Sequence, residues 1–541
     1  MKKAFIPLAL LMIVILLLTA CGGKTTVTTT TTTQATTTIT TVKPMETTST
    51  TAPPVSEIKR GGTLKYIYPY SPPTTPGWPS DDSNFQRMWM EWTVFEPLVK
   101  PSKDFKPIPW LAESWDWAAD KSSITFHLRQ GVKYHDGSTF TSENVKFEGD
   151  IMINNSGAVG KYWDRWEIID DNTITLHLKQ YRNDFWGGFY GISMCFPSVK
   201  AYNENGGADG GEAWCKEHPI GTGPFTFEYF EKDVTMKLKA FPDYWQEGKP
   251  YLDGIDFITV VETLTAQSAM EAGQGDVWAL QQGKTLYDMK NAGFDVVYDY
   301  GGTDFLLFDT VNEGSVTNDP RVRMAIEYAV DKQAMADAIG YGYLIPNNQW
   351  SPPYNPSYNA DLPSRDYNPA KAKELLAEAG YPDGLSLHII TIGSSPRILS
   401  VQQYLEAVGI TVELESIDNG TFWYYCMTGW TGILDIGYAI GSDNFASAML
   451  AYFGPNRVID VSMQIPDEII AKAEAALVEQ DPVKAKAMSD EVIKDLYDIC
   501  WLVPFYSNAM GFVIATDCKG SGIEDYSDWS QWSPENCWLD K

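Results

Sequence analysis

Ser123-Ile124-Thr125-Phe126-His127-Leu128-Arg129 alternates apolar and polar residues at every step. Successive side chains of an extended chain point to opposite faces, so Ile124, Phe126 and Leu128 share one face and Thr125, His127 and Arg129 the other. Such a strand buries one face and wets the other. Thr173 to Lys179 repeats the pattern through Ile174, Leu176 and Leu178, and Gly61-Gly62-Thr63-Leu64-Lys65-Tyr66-Ile67-Tyr68 reads as a turn entering a further strand. His127 and His177 fall on the polar faces and need no functional explanation.

Toward the C-terminus the period changes. Asp319-Pro320 offers an N-cap followed by proline at the first helical position, and Val322, Ala325, Ile326 and Ala329 then mark one apolar face. Asn368-Pro369 repeats the device, with Leu375, Leu376 and Ala379 inside and Gly380 as the stop. Pro466-Asp467 opens a long helical pattern through Tyr497, with a break at Asp481-Pro482. Strand-like pieces, Leu385 to Ile392 and Ile410 to Leu414, lie between these helices. Interleaved helices and strands predict the α/β class.

Toward the N-terminus, Lys2 and Lys3 precede an apolar run from Ala4 to Leu18 that ends in Leu18-Thr19-Ala20-Cys21-Gly22. The run is too short and wrongly flanked for a membrane span, and predicts a signal peptide over 1–20. Leu-Thr-Ala-Cys is similar to a bacterial lipobox, in which the cysteine is acylated and becomes the first residue, so Cys21 is the expected lipid anchor. Residues 21–56 are dominated by threonine, with Pro44, Pro53 and Pro54. So little there can be buried that a disordered tether of about 30–35 Å is expected.

The whole chain has 541 residues, 44% of them hydrophobic, and a formal net charge of −29. That length predicts more than one globular domain. The acidity argues against nucleic acid and anionic lipid headgroups, both of which reward basic patches. Beyond Cys21 stand Cys195, Cys215, Cys426, Cys500, Cys518 and Cys537, none in C-x-x-C spacing. In an oxidising compartment they allow many pairings. Short loops favour Cys195–Cys215 and Cys518–Cys537, leaving Cys426 with Cys500.

Enzyme signatures are missing. There is no G-x-S-x-G elbow, H-E-x-x-H pair, phosphate loop or dinucleotide glycine fingerprint. The five histidines are scattered without metal-ligand spacing, and His135-Asp136-Gly137-Ser138 looks like a turn. Abundant carboxylates and nineteen tryptophans leave a paired-acid glycosidase compatible with composition. No pair of acids sits on identifiable strand ends, so no catalytic residue, metal or cofactor is assigned and a binding role is expected.

Several segments, in order, resemble the extracellular solute-binding proteins of family 5, which serve peptide- and nickel-type ABC importers. They are Gly61-Gly62-Thr63-Leu64, Val94-Phe95-Glu96-Pro97-Leu98-Val99, and Pro109-Trp110-Leu111-Ala112-Glu113-Ser114-Trp115 through Gly131-Val132-Lys133-Tyr134-His135-Asp136-Gly137 to Phe140-Thr141. Gly221-Thr222-Gly223-Pro224-Phe225, Asp243-Tyr244-Trp245, Gly248-Lys249-Pro250-Tyr251-Leu252-Asp253, Asp319-Pro320-Arg321-Val322-Arg323 and Ala377-Glu378-Ala379-Gly380-Tyr381 follow. The resemblance spans nearly all of the mature body. It implies a large, three-domain periplasmic-binding-protein-like fold, with two lobes joined by a hinge around a ligand cleft. Domain I would comprise 57–95, 219–303 and 502–541, domain II 96–218, and domain III 304–501. Gly221, Thr222 and Gly223 would form a hinge, since glycine admits backbone angles barred to other residues.

The same resemblance implies a monomeric, lipid-anchored receptor at the outer face of the cell membrane. It would capture a peptide or similar small solute and deliver it to an ABC permease and its ATPase subunits. An oligosaccharide is the alternative, with a nickel complex or a secreted hydrolase behind it. Peptide-binding members hold the ligand's α-amino group with an acid shortly after a Gly-Trp-Thr-Gly-like segment. Here Gly429-Trp430-Thr431-Gly432 is followed by Ile433 and Leu434, so the anchor is either the displaced Asp435 or lost. Asp443-Asn444-Phe445 resembles the next landmark. Tyr68, Tyr70, Arg397, Trp430, Asp435, Asp443, Asn444 and Phe445 are the expected ligand contacts. Arg397 would meet a ligand carboxylate through bidentate bonds, or else be an exposed surface arginine.

Overall fold

A computed structural model describes residues 58–70, 75–79, 88–154, 160–191, 194–440, 442–523 and 531–541. The signal peptide, Cys21 and the tether lie outside the described residues. In chain order the main strands begin with β1 (Thr63–Tyr68), β2 (Ala112–Trp117), β3 (Ser123–Leu128), β4 (Trp163–Asp170) and β5 (Thr173–Leu178). Then come β6 (Phe225–Glu231), β7 (Thr235–Ala240), β8 (Gly254–Thr259), β9 (Val277–Leu280) and β10 (Asp295–Phe308). The last four are β11 (Leu385–Ile392), β12 (Ile410–Ile417), β13 (Ile433–Ala439) and β14 (Leu502–Ile514).

The opening heptad forms β3 as expected. A four-stranded antiparallel sheet, β2-β3-β5-β4, buries Ile124, Phe126, Leu128, Ile174 and Leu176 against Trp163, Trp166 and Phe189. The outward histidines hydrogen-bond surface carboxylates, His127 with Asp116 at 3.0 Å and His177 with Glu167 at 2.7 Å.

The large sheet has 11 strands, in the order β12-β11-β13-β10-β14-β9-β1-β8-β7-β6, with Leu344–Pro346 added beside β14. One half packs Tyr66, Trp89, Phe95, Phe257 and Trp532 into a core. The other half is covered on both faces. Phe305 and Leu307 of β10 enter a core with Trp350, Phe445 and Trp501, while Leu306 and Phe308 enter another with Ile326, Leu376 and Ile398. Period-two alternation along one strand thus feeds two cores.

The helices that cover this second half include α1 (Pro320–Ala329), α2 (Pro369–Glu378), α3 (Pro396–Ala407), α4 (Phe445–Phe453), α5 (Asp467–Val478) and α6 (Pro482–Asp498). The capping signals are honoured. Asp319, Asn368 and Asp481 each accept a backbone N–H of the first turn, ahead of a proline. The break expected at Asp481-Pro482 separates α5 from α6.

The proposed cysteine pairings fare differently. All six described cysteines are free and buried. Cys195 lies among Trp89 and Phe95, whereas Cys215 packs with Trp78 and Ala201. Cys426 belongs to the core beneath α4, while Cys500 is in the core on the other sheet face, its thiol donating to Glu327 Oε2 at 3.4 Å. Cys195–Cys215 and Cys426–Cys500 are therefore wrong as pairs: each thiol is enclosed by a different core, whatever the loop length between them. Cys518 and Cys537 do meet, with Sγ atoms 3.6 Å apart, where Cys518–Lys519 pairs with Trp538–Leu539.

Candidate functional site

Two passages of chain tie the packed bodies together. At the first, residues 93–97 run beside 219–224, between the four-stranded sheet and the large one. Gly223 N–H donates to Val94 O at 2.9 Å. A Cβ on Gly221 would stand 1.9 Å from Val94 O, and one on Gly223 2.5 Å from Thr93 O. Neither glycine has a positive φ. The expectation that they supply special backbone angles is therefore corrected: glycine is needed because two backbones touch.

Side chains lock this passage. The Glu96 carboxylate accepts from Thr222 Oγ1 and Tyr244 OH, each at 2.8 Å, from Trp110 Nε1 at 2.8 Å and from Trp245 Nε1. Burial pushes the Glu96 carboxyl up to about 7, against the pull of those donors and of Lys100. His135 Nε2 donates to Gly223 O at 2.9 Å while Nδ1 faces the Gly221 N–H at 3.4 Å, which fixes a neutral tautomer. Burial lowers its pKa to about 4. The turn expected at His135-Asp136-Gly137-Ser138 is present, with Gly137 N–H bonded to Tyr134 O, yet its histidine also clamps the glycine passage.

At the second passage β10 and β14 each run through both halves of the large sheet. Their pairing extends from Asp295↔Ile514 to Leu307↔Leu502, with register shifts between Tyr300 and Gly302 and between Asp304 and Phe305. Such bulges bend and twist a ladder. A polar cluster sits here. Arg397 enters at the start of α3, after Pro396 and the Ser395 cap. Its Nε and Nη2 donate to the two Asp435 oxygens at 2.9 and 3.0 Å, and its Nη1 donates to Asp304 Oδ2 at 2.5 Å. Asp435 also accepts from Thr391 Oγ1, and Asp304 from Asn508 Nδ2, both at 3.0 Å. A Cβ on Gly437, opposite Asp304, would stand 2.1 Å from its carboxylate, so that glycine makes room for the acid.

Burial raises the Asp304 pKa despite Arg397, with Asp435 adding to it. Burial also works against the Arg397 charge, but the Asp304 and Asp435 carboxylates outweigh it and hold its pKa well above normal. Of the three charged side chains, Arg397 and Asp304 keep solvent contact, 20% and 12% exposed against 0% for Asp435. Arg397 is thus neither a surface arginine nor a free carboxylate receptor, and Asp435 is engaged by it in full.

The remaining expected contacts separate. Tyr68, Trp430 and Phe445 are buried: Tyr68 packs with Trp89, and the other two with Phe453, Trp501 and their neighbours. Tyr70 is half-buried and stacks on Trp89, with ring centroids 5.9 Å apart and planes 7° apart. Asp443 keeps solvent contact, yet the protein around it pushes its carboxyl up to about 6, and the Asp184 carboxylate adds to the shift. Asn444 caps α4. Sequence reading missed Asp304 and Asn508, which lie inside β10 and β14 and carry no local signal in the sequence. It quoted Glu96 within a motif without a role. Among the described residues no group of three or more His, Cys, Asp and Glu is placed to hold a metal ion, and no helix is long and apolar enough to cross a membrane.

Residues 106–458 match the bacterial extracellular solute-binding proteins, family 5, middle region, and the chain belongs to that family. It is 30% identical over 340 residues to a glutathione-binding protein of Pectobacterium atrosepticum, covering 61% of this chain and 64% of that one. It is 29% identical over 331 residues to di/tripeptide-binding protein 1 of Pseudomonas aeruginosa, covering 54% and 59%. The chain thus spans less than two thirds of the length of these curated relatives. An ABC transporter substrate-binding protein of Listeria monocytogenes shares the fold, with a TM-score of 0.78, 21% identity and coverage of 89% and 100%. So does a periplasmic binding protein of Helicobacter pylori solved with the peptide STSA, with a TM-score of 0.76, 21% identity and coverage of 89% and 99%.

Proposed function

We propose that this protein is the solute receptor of an ABC importer and that its solute is a short peptide. The observation that carries the peptide reading is the charge of the crossing cluster. Two carboxylates, Asp304 and Asp435, face one guanidinium, so the cluster has one excess negative charge. With Asn508 beside it, the cluster offers an ammonium-bearing ligand a counter-charge and hydrogen bonds. A neutral sugar could hydrogen-bond those groups but would bring no counter-charge to the excess carboxylate. The names of the glutathione- and di/tripeptide-binding relatives support the same reading.

In this reading domain I is 57–95, 219–303 and 502–541, domain II 96–218 and domain III 304–501. The lobes close by bending of β10 and β14 at their register shifts. Ligand stabilises closure only by its differential affinity for the closed state. Cys21 carries the lipid, the threonine tether spans to the body, and a permease with its ATPases receives the solute from a monomeric receptor that turns nothing over. Outside the cell Cys518 and Cys537, already in contact, close a disulfide; the other thiols stay reduced.

Calorimetric titration with glutathione, di- and tripeptides, and β-linked oligosaccharides tests the ligand. Saturable binding of peptides is expected. Saturable binding of sugars alone contradicts the peptide reading, and release of hydrolysis products contradicts the receptor.

A further inference from the structure

The last carbonyls of a helix have no partner within the helix. At the end of α5 they are satisfied from far away. Asn183 Nδ2 donates to Ala476 O at 2.7 Å and to Glu479 O at 3.0 Å, and the Asn183 backbone N–H donates to Leu477 O at 2.9 Å. The same residue touches a second helix. Asn444, whose Oδ1 caps α4, donates through Nδ2 to Asn183 Oδ1 at 2.6 Å. One turn on, Ser447 Oγ donates to Asp184 Oδ2 at 2.5 Å.

The segment is held ready for these contacts. Arg182 grips Asp184 through Nε and Nη2, at 2.9 and 2.5 Å, and lies 4.1 Å over the Tyr162 ring, so Asp184 is buried in a fixed orientation. The charges suit their positions, since a carboxylate near the first turn of α4 and amide donors at the last turn of α5 both oppose the helix dipole. Arg182, Asn183 and Asp184 belong to the body built on the four-stranded sheet. Asn444, Ser447 and the α5 carbonyls belong to the body beyond the β10–β14 crossing.

We propose that Arg182-Asn183-Asp184 is an interlobe clasp that holds the two lobes together before any solute binds. A receptor whose closed state is already populated loses less apparent affinity to closure, so the clasp tunes how tightly solute is held. The inference goes beyond the peptide reading and holds for any solute; failure of peptide binding leaves it standing.

The Asn183 N–H reports directly on the clasp, because it is bonded only while the segment rests on α5. Its hydrogen exchange in the ligand-free full chain is compared with that of the β3 amides, for wild type, Ser447→Ala and Asn183→Asp. Ser447→Ala removes one bond from the far lobe, and Asn183→Asp turns donors into acceptors facing two carbonyls. Exchange at residue 183 relative to β3 should rise roughly tenfold in Ser447→Ala, the usual worth of one charge-assisted hydrogen bond, and further in Asn183→Asp. A ratio unchanged in both variants, or a wild-type Asn183 amide exchanging at the rate of a free peptide, overturns the proposal. Because β3 is the internal reference, general destabilisation cannot mimic the effect.

Discussion

The two passages that join the bodies of this protein are built on opposite principles. At 93–97 and 219–224 two backbones are in contact, glycines leave no space for a Cβ, and one buried carboxylate gathers donors from Trp110, Thr222, Tyr244 and Trp245. At the β10–β14 crossing the ladder is interrupted twice by register shifts, and Arg397 and Asp304 beside it keep partial contact with solvent. A contact between backbones has no slack, because interiors are packed to the density of crystals. A bulge is a bend already made. The difference teaches that a glycine pair in a connector can mark a weld as readily as a hinge, and that the weld is recognised by what lies across from it.

Substitution separates the two passages most sharply at their glycines. Gly221→Ala must push Val94 aside, with no side-chain end to yield, and is expected to lose at least about 4 kcal/mol or to fail to fold. Urea unfolding followed by tryptophan fluorescence measures it.

Acidity should distinguish the weld next. The Glu96 carboxyl is raised to about 7, so the folded state favours its neutral form and its contribution declines as pH rises from about 4.5 to 7. The His135 pKa is lowered to about 4, so its contribution is lost as pH falls from 6.5 toward 4. Between pH 4.5 and 6.5 the two oppose each other. In Glu96→Gln only the histidine dependence remains at the weld. The gain in stability from pH 4.5 to 6.5 should then exceed that of wild type, by at most about 3 kcal/mol. Equal gains would mean that Glu96 does not titrate with folding.

The smallest effect is expected at the crossing. A Cβ on Gly302 would lie 3.3 Å from Asn508 Oδ1 and from Tyr438 O, a tight but adjustable fit. Gly302→Ala should cost no more than about 1 kcal/mol on the same urea curves, and a loss matching Gly221→Ala would erase the contrast.

How much of this was legible follows from range. Local signals read well: the alternation of Ser123 to Arg129 became β3, the Asp-Pro and Asn-Pro caps opened α1 and α2, and Asp481-Pro482 split two helices. Each depends only on neighbours in sequence. The site depends on partners the sequence does not bring near. Arg397 meets Asp304 across 93 positions and Asp435 across 38, and no periodicity announces either contact. Aromatic residues are ambiguous for a related reason: Tyr68, Trp430 and Phe445 have the chemistry of a ligand wall, but large apolar rings also fill cores. The glycines were noticed and misread, because a close approach leaves the same letters as a positive φ.

Hydrogen exchange of the ligand-free full chain compares the two passages directly. Amides at the weld, such as those of Phe95 and Gly223, should exchange only with global unfolding, while amides from Tyr300 to Asp304 and from Phe505 to Asn508 should open locally at lower free energy. Equal protection at the two passages, or faster exchange at Phe95 and Gly223, would contradict the account of where this protein bends.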